Sequence, residues 1–282
     1  LREGAYDYLL KPFDWEILSN TVSRALERHD LLRENDRYRT NLERLVLEQT
    51  EEIRQTRDIA LITLAKLAES RDSTTGLHLD RISAYSRRLA EELRNGSYAG
   101  RISLAYIEQL AKSSPLHDIG KVGIPDSILC KPGPLSSSEF RLMQTHSTIG
   151  GDTLRSVLER FETRGFLIMA MEIAYSHHER WDGCGYPKGL AGEEIPLAAR
   201  IVAIVDSYDT LTSDRPYKRA VPHAEAVQRL VVDRGRHFEP AIVDAFMDCH
   251  ADFEIIRGEV STSESEEDEH DTPDSAVEEA PQ

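Results

Sequence analysis

From Glu16 to Ser70 the chain contains neither proline nor glycine. Nothing in that stretch removes an amide donor or loosens the backbone. Good helix formers dominate it, among them Leu26, Glu27, Leu31, Leu32, Glu34, Leu42, Glu43, Leu45 and Glu48, so it is restricted to one or two long helices. Leu31, Tyr38 and Leu45 recur at intervals of seven, with Leu42, Val46 and Ile53 beside them. Such a seam suits a parallel two-chain coiled coil, although Gln49 and Glu52 interrupt it, and the alternative is a single helix packed on its own domain. Ahead of it, Tyr8-Leu9-Leu10 reads as a short strand, stopped by Lys11-Pro12 and followed by a helix with Asp14 and Glu16 in its first turn.

Residues 58–257 alternate helical apolar patterns with glycine- and proline-rich loops and show little two-residue alternation, which predicts an all-α domain. The pattern places helices over 58–71, 78–95, 103–116, 138–145, 150–159, 166–178, 197–212, 223–233 and 239–250. Between them lie two long loops, 119–137 and 180–196, of the kind that more often carries function than mere connection. The formal charge is −16, but residues 258–282 hold ten carboxylates and no Lys or Arg, leaving the remainder near −6. Bulk electrostatics therefore argue against duplex DNA and anionic membrane surfaces as partners. The acidic tail 258–282 is expected to be disordered, since it has too little apolar surface to offset its ordering entropy. With no long apolar run and no signal-peptide pattern, a soluble, cytoplasmic protein is expected. Cys130, Cys184 and Cys249 are scattered and odd in number, against both a disulfide framework and a thiolate metal site. The first residue, Leu1, falls inside an apparent motif, so the sequence is expected to be a fragment of a longer one.

The chemistry-bearing residues are His78, His117-Asp118, His146, His177-His178 and Asp206, with His223 further along. An adjacent imidazole and carboxylate suit a divalent transition ion, and a carboxylate can bridge two; the plain alternative for His117-Asp118 is a hydrogen-bonded helix end. Adjacent histidines on one helix point about 100° apart, so His177 and His178 would rarely share one ion but can serve neighbouring ions or one ion and a substrate. Asp206 sits in the apolar run RIVAIVDSYDTL with no Lys or Arg within a helical turn, and a buried carboxylate so placed needs a cation or several donors.

Taken in order, these residues lie within TTGLHLDRIS (74–83), LHDIGKVGIPDSIL (116–129), KPGPLSSSEF (131–140), THSTIGGDTL (145–154) and HHERWDGCGYPKGLAGEEIPLAARIVAIVDSYDTLTSDRPYKRA (177–220). This series resembles the HD-GYP branch of the HD phosphohydrolase superfamily, with Gly185-Tyr186-Pro187 as the name-giving tripeptide. The resemblance implies an HD-domain helical bundle. It implies that His78, His117, Asp118 and Asp206 hold one metal and that Asp118 bridges to a second, held by His146, His177 and His178. The ions would be two, iron or manganese, because members with three carry Glu four residues before the His78 position and Thr74 stands there. The implied activity is hydrolysis of cyclic di-GMP to the linear dinucleotide pGpG and to GMP, with Asp118 at the reacting centre. Lys121, Arg215 and Lys218 would bind substrate phosphates. The loop carrying Asp182 and Tyr186 would shape the substrate site and contact a GGDEF-type diguanylate cyclase domain, while its alternative reading is a structural turn in which Asp182 accepts from backbone amides. In that loop Gly183 and Gly185 are expected to supply positive φ.

The N-terminal segment EGAYDYLLKPFDWEILSNTVSRALE resembles the last strand and helix of a response-regulator receiver domain. The combined expectation is a receiver remnant at 1–27, a helical linker at 28–57, a catalytic domain at 58–257 and the tail at 258–282. The implied setting is an output domain of a two-component system, driven by a sensor kinase and able to form a homodimer through the linker. The alternatives are a catalytically silent nucleotide-binding or docking module and a phosphodiesterase for another cyclic dinucleotide, such as a cyclic GMP-AMP.

Overall fold

The computed structural model describes residues 6–9, 11, 12, 14–71, 77–160, 165–214 and 219–270, with side chains as far as residue 260. The chain divides into two units, Leu1–Ala60 and Leu61–Gln282. Nine α-helices are described: α1 (Trp15–Glu69), α2 (His78–Asn95), α3 (Leu104–Ser113), α4 (Asp126–Leu129), α5 (Ser137–Arg160), α6 (Phe166–Ser176), α7 (Leu197–Thr212), α8 (His223–Val232) and α9 (Pro240–His270). Among the described residues there is no strand, only the isolated bridges Asp182↔Ala191 and Arg234↔Phe238, and the fold is all-α.

In the first unit α1 is continuous, as its lack of breakers requires. Arg39–Asp36, Arg44–Glu48 and Arg54–Glu51 pair at 2.8, 2.6 and 2.9 Å along its surface, each contributing about 0.3–0.5 kcal/mol. Leu31, Tyr38, Leu42 and Leu45 are exposed. Tyr8 and Leu9 are not in a strand, a correction with a simple cause: an edge without partner strands has nothing to complete its backbone hydrogen bonds.

In the second unit α2 shows why the bundle forms. Leu79, Ile82, Ser86, Leu89 and Leu93 fall three or four residues apart and are all buried, so one face of the helix is withdrawn from water. That face packs against α3, α7 and α9, where Leu110, Ile201, Ile204, Tyr208, Phe246 and Phe253 complete the main core. Full burial of a leucine such as Leu89 contributes about 1.5–3 kcal/mol. A smaller cluster of Ala65, Leu79, Leu116, Leu154, Ala170 and Ala174 draws the last turns of α1 together with α2, α5 and α6. Ser103 caps α3 by accepting from the Tyr106 amide.

Three expectations are corrected. The two short helices expected over 138–145 and 150–159 are one, α5, because Gly150-Gly151 lies inside it. These glycines serve contact rather than termination: a Cβ on Gly151 would enter the Tyr175 ring, and Gly150 faces Gly120. The loop 119–137 contains a 3₁₀ turn, Ile119–Gly123, and the short helix α4. The segment expected to be disordered from residue 258 is helical as far as His270, since no proline occurs before Pro273 and a helix already nucleated by a packed stretch propagates cheaply. Residues 271–282 lie outside the described residues.

Candidate metal centre

The centre is assembled at helix ends and turns. His78 opens α2. After α3 the chain tightens through a 3₁₀ turn at Ser114–Leu116, passes His117 and Asp118, and tightens again through Ile119–Gly123, so two consecutive residues face the same cavity. α5 supplies His146, the end of α6 leads into His177 and His178, and α7 supplies Asp206. All seven residues read from the sequence come together in two groups, Asp118 with His146, His177 and His178, and His78 with His117 and Asp206; the ligand atoms of each group lie within 4.8 Å of one another.

Four imidazoles are held in one orientation. The Nδ1 of His117, His146 and His177 donates to the carbonyl oxygens of Ser114, Met143 and Ile173 at 2.9, 2.7 and 3.0 Å, and His78 Nδ1 donates to Asp209 at 2.6 Å. With Nδ1 committed as a donor, each ring turns Nε2 inward, where the neutral form offers a lone pair. These lone pairs face one another and further acceptors. His146 Nε2 and His177 Nε2 stand 3.4 Å apart. Asp118 Oδ1 is 3.2 Å from His146 Nε2 and 3.5 Å from His177 Nε2, whereas Oδ2 is 3.4 Å from His117 Nε2. Asp206 Oδ1 is 3.9 Å from the Nε2 of both His78 and His117. Asp118 thus turns one oxygen to each group. Among the described residues His117 Nε2 and Asp118 Oδ1 are buried and make no hydrogen bond. Lys121 donates to Asp118 Oδ2 at 2.8 Å and the Ser147 hydroxyl stands 3.3 Å from His146 Nε2; the remaining converging lone pairs are unfavourable unless a cation sits among them.

The charge state carries the same demand. Burial opposes protonation of His117, yet Asp118, Asp206 and Glu69 raise it to about 9, so a proton stands in where positive charge is wanted. Burial also opposes ionisation of Asp118, but Lys121, at 2.8 Å, and then His117 hold its carboxyl well below the usual range. Burial lowers His177 and His178, and the neighbouring histidines push His178 down further. Imidazole nitrogen with carboxylate oxygen is a donor set that suits iron and manganese.

Sequence reasoning missed three buried carboxylates around the centre. Asp209, 1% exposed, receives Arg81 through Nε and Nη2 at 2.5 and 2.9 Å besides His78, and Arg81 with His78 holds it at about 2 against the opposing effect of burial. Its signal was its spacing, three residues after Asp206 on the same helix face. Glu179 accepts from the amides of Lys188 and Leu190 at 2.7 and 3.0 Å and ties down the following loop. Glu69, at the end of α1, is also buried; nothing in its charged surroundings in the sequence marks it.

The loop after His178 is built tightly. Gly183 adopts φ +76°, as expected, but Gly185 does not have positive φ. Gly185 is needed for space instead: a Cβ there would lie 2.4 Å from the Arg180 nitrogen and 2.6 Å from the His178 carbonyl oxygen. Tyr186 lies beside the second group, its ring 4.7 Å from that of His178. Asp182 accepts from Arg180 at 2.8 Å and from the Cys184 amide at 3.0 Å, the structural-turn arrangement. His223 lies apart, sharing hydrogen bonds with Tyr208 and His250. Thr74, Arg215 and Lys218 lie outside the described residues. No helix among the described residues is long and apolar enough to cross a membrane.

Comparison with known proteins gives the same frame. A cyclic di-GMP phosphodiesterase of Vibrio cholerae is 48% identical over 212 residues, covering 74% of this chain and 43% of that protein. The cyclic di-GMP phosphodiesterase response regulator RpfG of Xanthomonas campestris is 38% identical over 263 residues, 93% of this chain and 66% of that protein. A 3'3'-cGAMP-specific phosphodiesterase 2 of Vibrio cholerae is 38% identical over 206 residues, 73% of this chain and 37% of that protein. This chain therefore spans less than two thirds of those relatives' lengths. The HD domain family matches residues 63–242, a span that runs from the end of α1 into α9 and contains every donor of both groups. A match over that span places the chain in the HD domain family.

Proposed function

We propose that this chain is a metal-dependent phosphodiesterase that hydrolyses cyclic di-GMP to pGpG and/or GMP. The observation that carries the reading is the split of Asp118 between two groups of inward-facing nitrogens, since a carboxylate placed so is a bridge between two cations. His78, His117 and Asp206 would hold one divalent ion, His146, His177 and His178 the other, with iron or manganese as the metal. A pair of such ions supplies Lewis acidity at the phosphoryl oxygens and a lowered pKa for water.

The protein's own part is orientation and charge. The backbone carbonyls and Asp209 hold the imidazoles in a single tautomer, so no reorganisation accompanies the reaction. Lys121 is an ammonium that donates but cannot ligate a cation, and from its place beside Asp118 it serves a phosphate oxygen. Arg215 and Lys218 add the charge that a doubly anionic cyclic substrate requires. Tyr186 forms the wall of the substrate site next to His178, and Asp182 serves that site by shaping its loop.

The wider setting belongs to the same proposal. Residues 1–27 are the remnant of a receiver whose missing part would answer a sensor kinase, 28–57 a linker and 58–257 the catalytic domain; the protein works in the cytoplasm and a GGDEF-type domain docks at Gly185-Tyr186-Pro187. A homodimer forms through the exposed Leu31, Tyr38 and Leu45 of α1. Light scattering on a Leu31→Ser, Leu42→Ser, Leu45→Ser triple variant should read half the parent mass; an unchanged mass removes the coiled coil.

The decisive experiment is turnover of cyclic di-GMP by the full chain loaded anaerobically with Fe(II) or Mn(II), with 3'3'-cGAMP run in parallel. Release of pGpG or GMP supports the reading. Metal uptake without hydrolysis of either dinucleotide leaves the docking module, and preference for 3'3'-cGAMP reassigns the substrate.

A further inference from the structure

Glu69 is the last residue of α1 and is 6% exposed. Its Oε1 stands 3.4 Å from His78 Nε2, and its Oε2 is buried without a hydrogen-bond partner among the described residues. Three separate costs meet at this carboxylate. It is withdrawn from water with half its acceptor capacity unused. It lies at the C-terminal end of a helix, where the aligned peptide dipoles are already negative. It also faces a nitrogen that, with the ring's proton committed to Asp209, offers only a lone pair, and Asp206 Oδ1 faces that same nitrogen at 3.9 Å.

The neighbouring cations make their side-chain hydrogen bonds to other acceptors, although Lys121 and Arg81 also attract Glu69 through space. Lys66 pairs with Asp80 at 3.1 Å, Arg71 with Asp126 at 2.6 Å and with the Ile124 carbonyl, and Arg81 with Asp209 at 2.5 Å. Lys121 pairs with Asp118 at 2.8 Å. A residue with this sum of penalties is hard to explain as part of the bundle's packing, and a divalent cation at His78 removes all three at once.

We propose that Glu69 is a metal ligand, adding a second carboxylate to the cation site of His78, His117 and Asp206. The assignment rests on the two-metal reading of the centre. The mixed set of imidazole nitrogens and carboxylate oxygens, with Asp118 as the bridge, suits Mn(II) or Fe(II). It makes the end of α1 part of the metal site.

The test is titration of chelator-stripped full chain with Mn(II), followed by calorimetry and by thermal unfolding of the metal-free forms. In Glu69→Gln, which keeps the shape and removes the charge, one of the two Mn(II) ions should bind at least tenfold more weakly while the other is unchanged. The metal-free variant should melt no lower than the parent, because a buried carboxylate without a partner has been relieved. Glu69→Asp, which keeps the charge but withdraws it by one methylene, should fall between. Unchanged Mn(II) affinity in Glu69→Gln, or a metal-free variant that melts lower or fails to fold, overturns the assignment and makes Glu69 a structural partner of a protonated His78. If the parent itself binds no Mn(II), the two-metal reading falls and Glu69 with it.

Discussion

Gly120 offers the sharpest test of how the centre is held together. It follows Asp118 in the 3₁₀ turn and lies so close to α5 that a Cβ would stand 1.9 Å from the His146 carbonyl oxygen, 2.4 Å from the Gly150 nitrogen and 2.9 Å from the Gly150 Cα. All three are backbone atoms of one helix, so no side chain can swing aside. Because Cβ contacts below 3.0 Å are essentially never seen, the turn and the helix must part by about 1.1 Å in Gly120→Ala, in an interior packed too densely to absorb the shift elsewhere. Asp118 and His146 ride on the two parts that separate, and their 3.2 Å approach opens with them. Overpacking of this kind costs about 1–3 kcal/mol and more where backbone meets backbone, and a misplacement of about 1 Å costs on the order of 10²-fold in rate. For a unit of this size a loss of 3 kcal/mol lowers the melting temperature by roughly 6–12 °C. Gly150→Ala is the control, since its Cβ meets the Gly120 nitrogen at 3.1 Å and needs only a few tenths of an ångström. Calorimetry and metal analysis on both variants decide the matter. If Gly120→Ala melts within a degree of the parent with full metal content, or if Gly150→Ala is the worse of the two, the close approach of turn and helix is not what sets the centre.

Three further outcomes follow from the same geometry. Asp118→Ala should lower metal content at both sites, measured by elemental analysis, because no neighbouring carboxylate reaches both groups; loss at one site alone removes the bridge. Asp209→Asn should weaken metal binding about 10- to 100-fold through His78, and Asp209→Ala should also cost about 3–5 kcal/mol in urea unfolding by leaving Arg81 buried and unpaired; an effect on neither would return Asp209 to the background. Burial holds His223 and His237 below their ordinary 6.5, so the unfolded chain binds those protons first, and the contribution of these two groups to metal-free stability is complete above pH 6.5 and is lost as pH drops through the folded values. His237→Asn keeps the carbonyl that accepts from the Trp181 amide and should therefore lose less stability between pH 7 and 5 than the parent, as read from urea midpoints; an identical slope removes His237 from the account.

What the sequence showed of the centre depended on how far each residue's role is written locally. Asp206 was visible because a carboxylate inside RIVAIVDSYDTL has no local cation, and His117-Asp118 because two ligand types adjoin at a helix end. Asp209 and Glu69 were not, since their roles depend on Arg81 and His78, which are remote in the chain or beyond a turn. The same limit explains Gly150-Gly151, read as a helix end by composition and found inside α5, where the missing side chains admit Gly120 and Tyr175. Gly185 was recognised as necessary, but for conformational freedom, whereas its neighbours leave no room for a Cβ.

The two aspartates of α7 tie these observations together. Residues three apart on a helix lie on one face, so Asp206 and Asp209 address the same wall of the cavity with different tasks. Asp206 turns an oxygen towards the Nε2 atoms of His78 and His117, while Asp209 takes the proton on the far side of the His78 ring and is itself fixed by Arg81 from the next turn of α2. Arg81 is three residues after His78, so the two α2 partners of Asp209 also lie on one face of that helix. Two short periodicities, one on each helix, therefore fix the orientation of an imidazole between them, with Ser213 just past α7 bonding both Arg81 and Asp209. The burial of the Asp209 and Arg81 pair, which by itself contributes little to stability once desolvation is counted, is better explained by that positioning than by the strength of the ion pair.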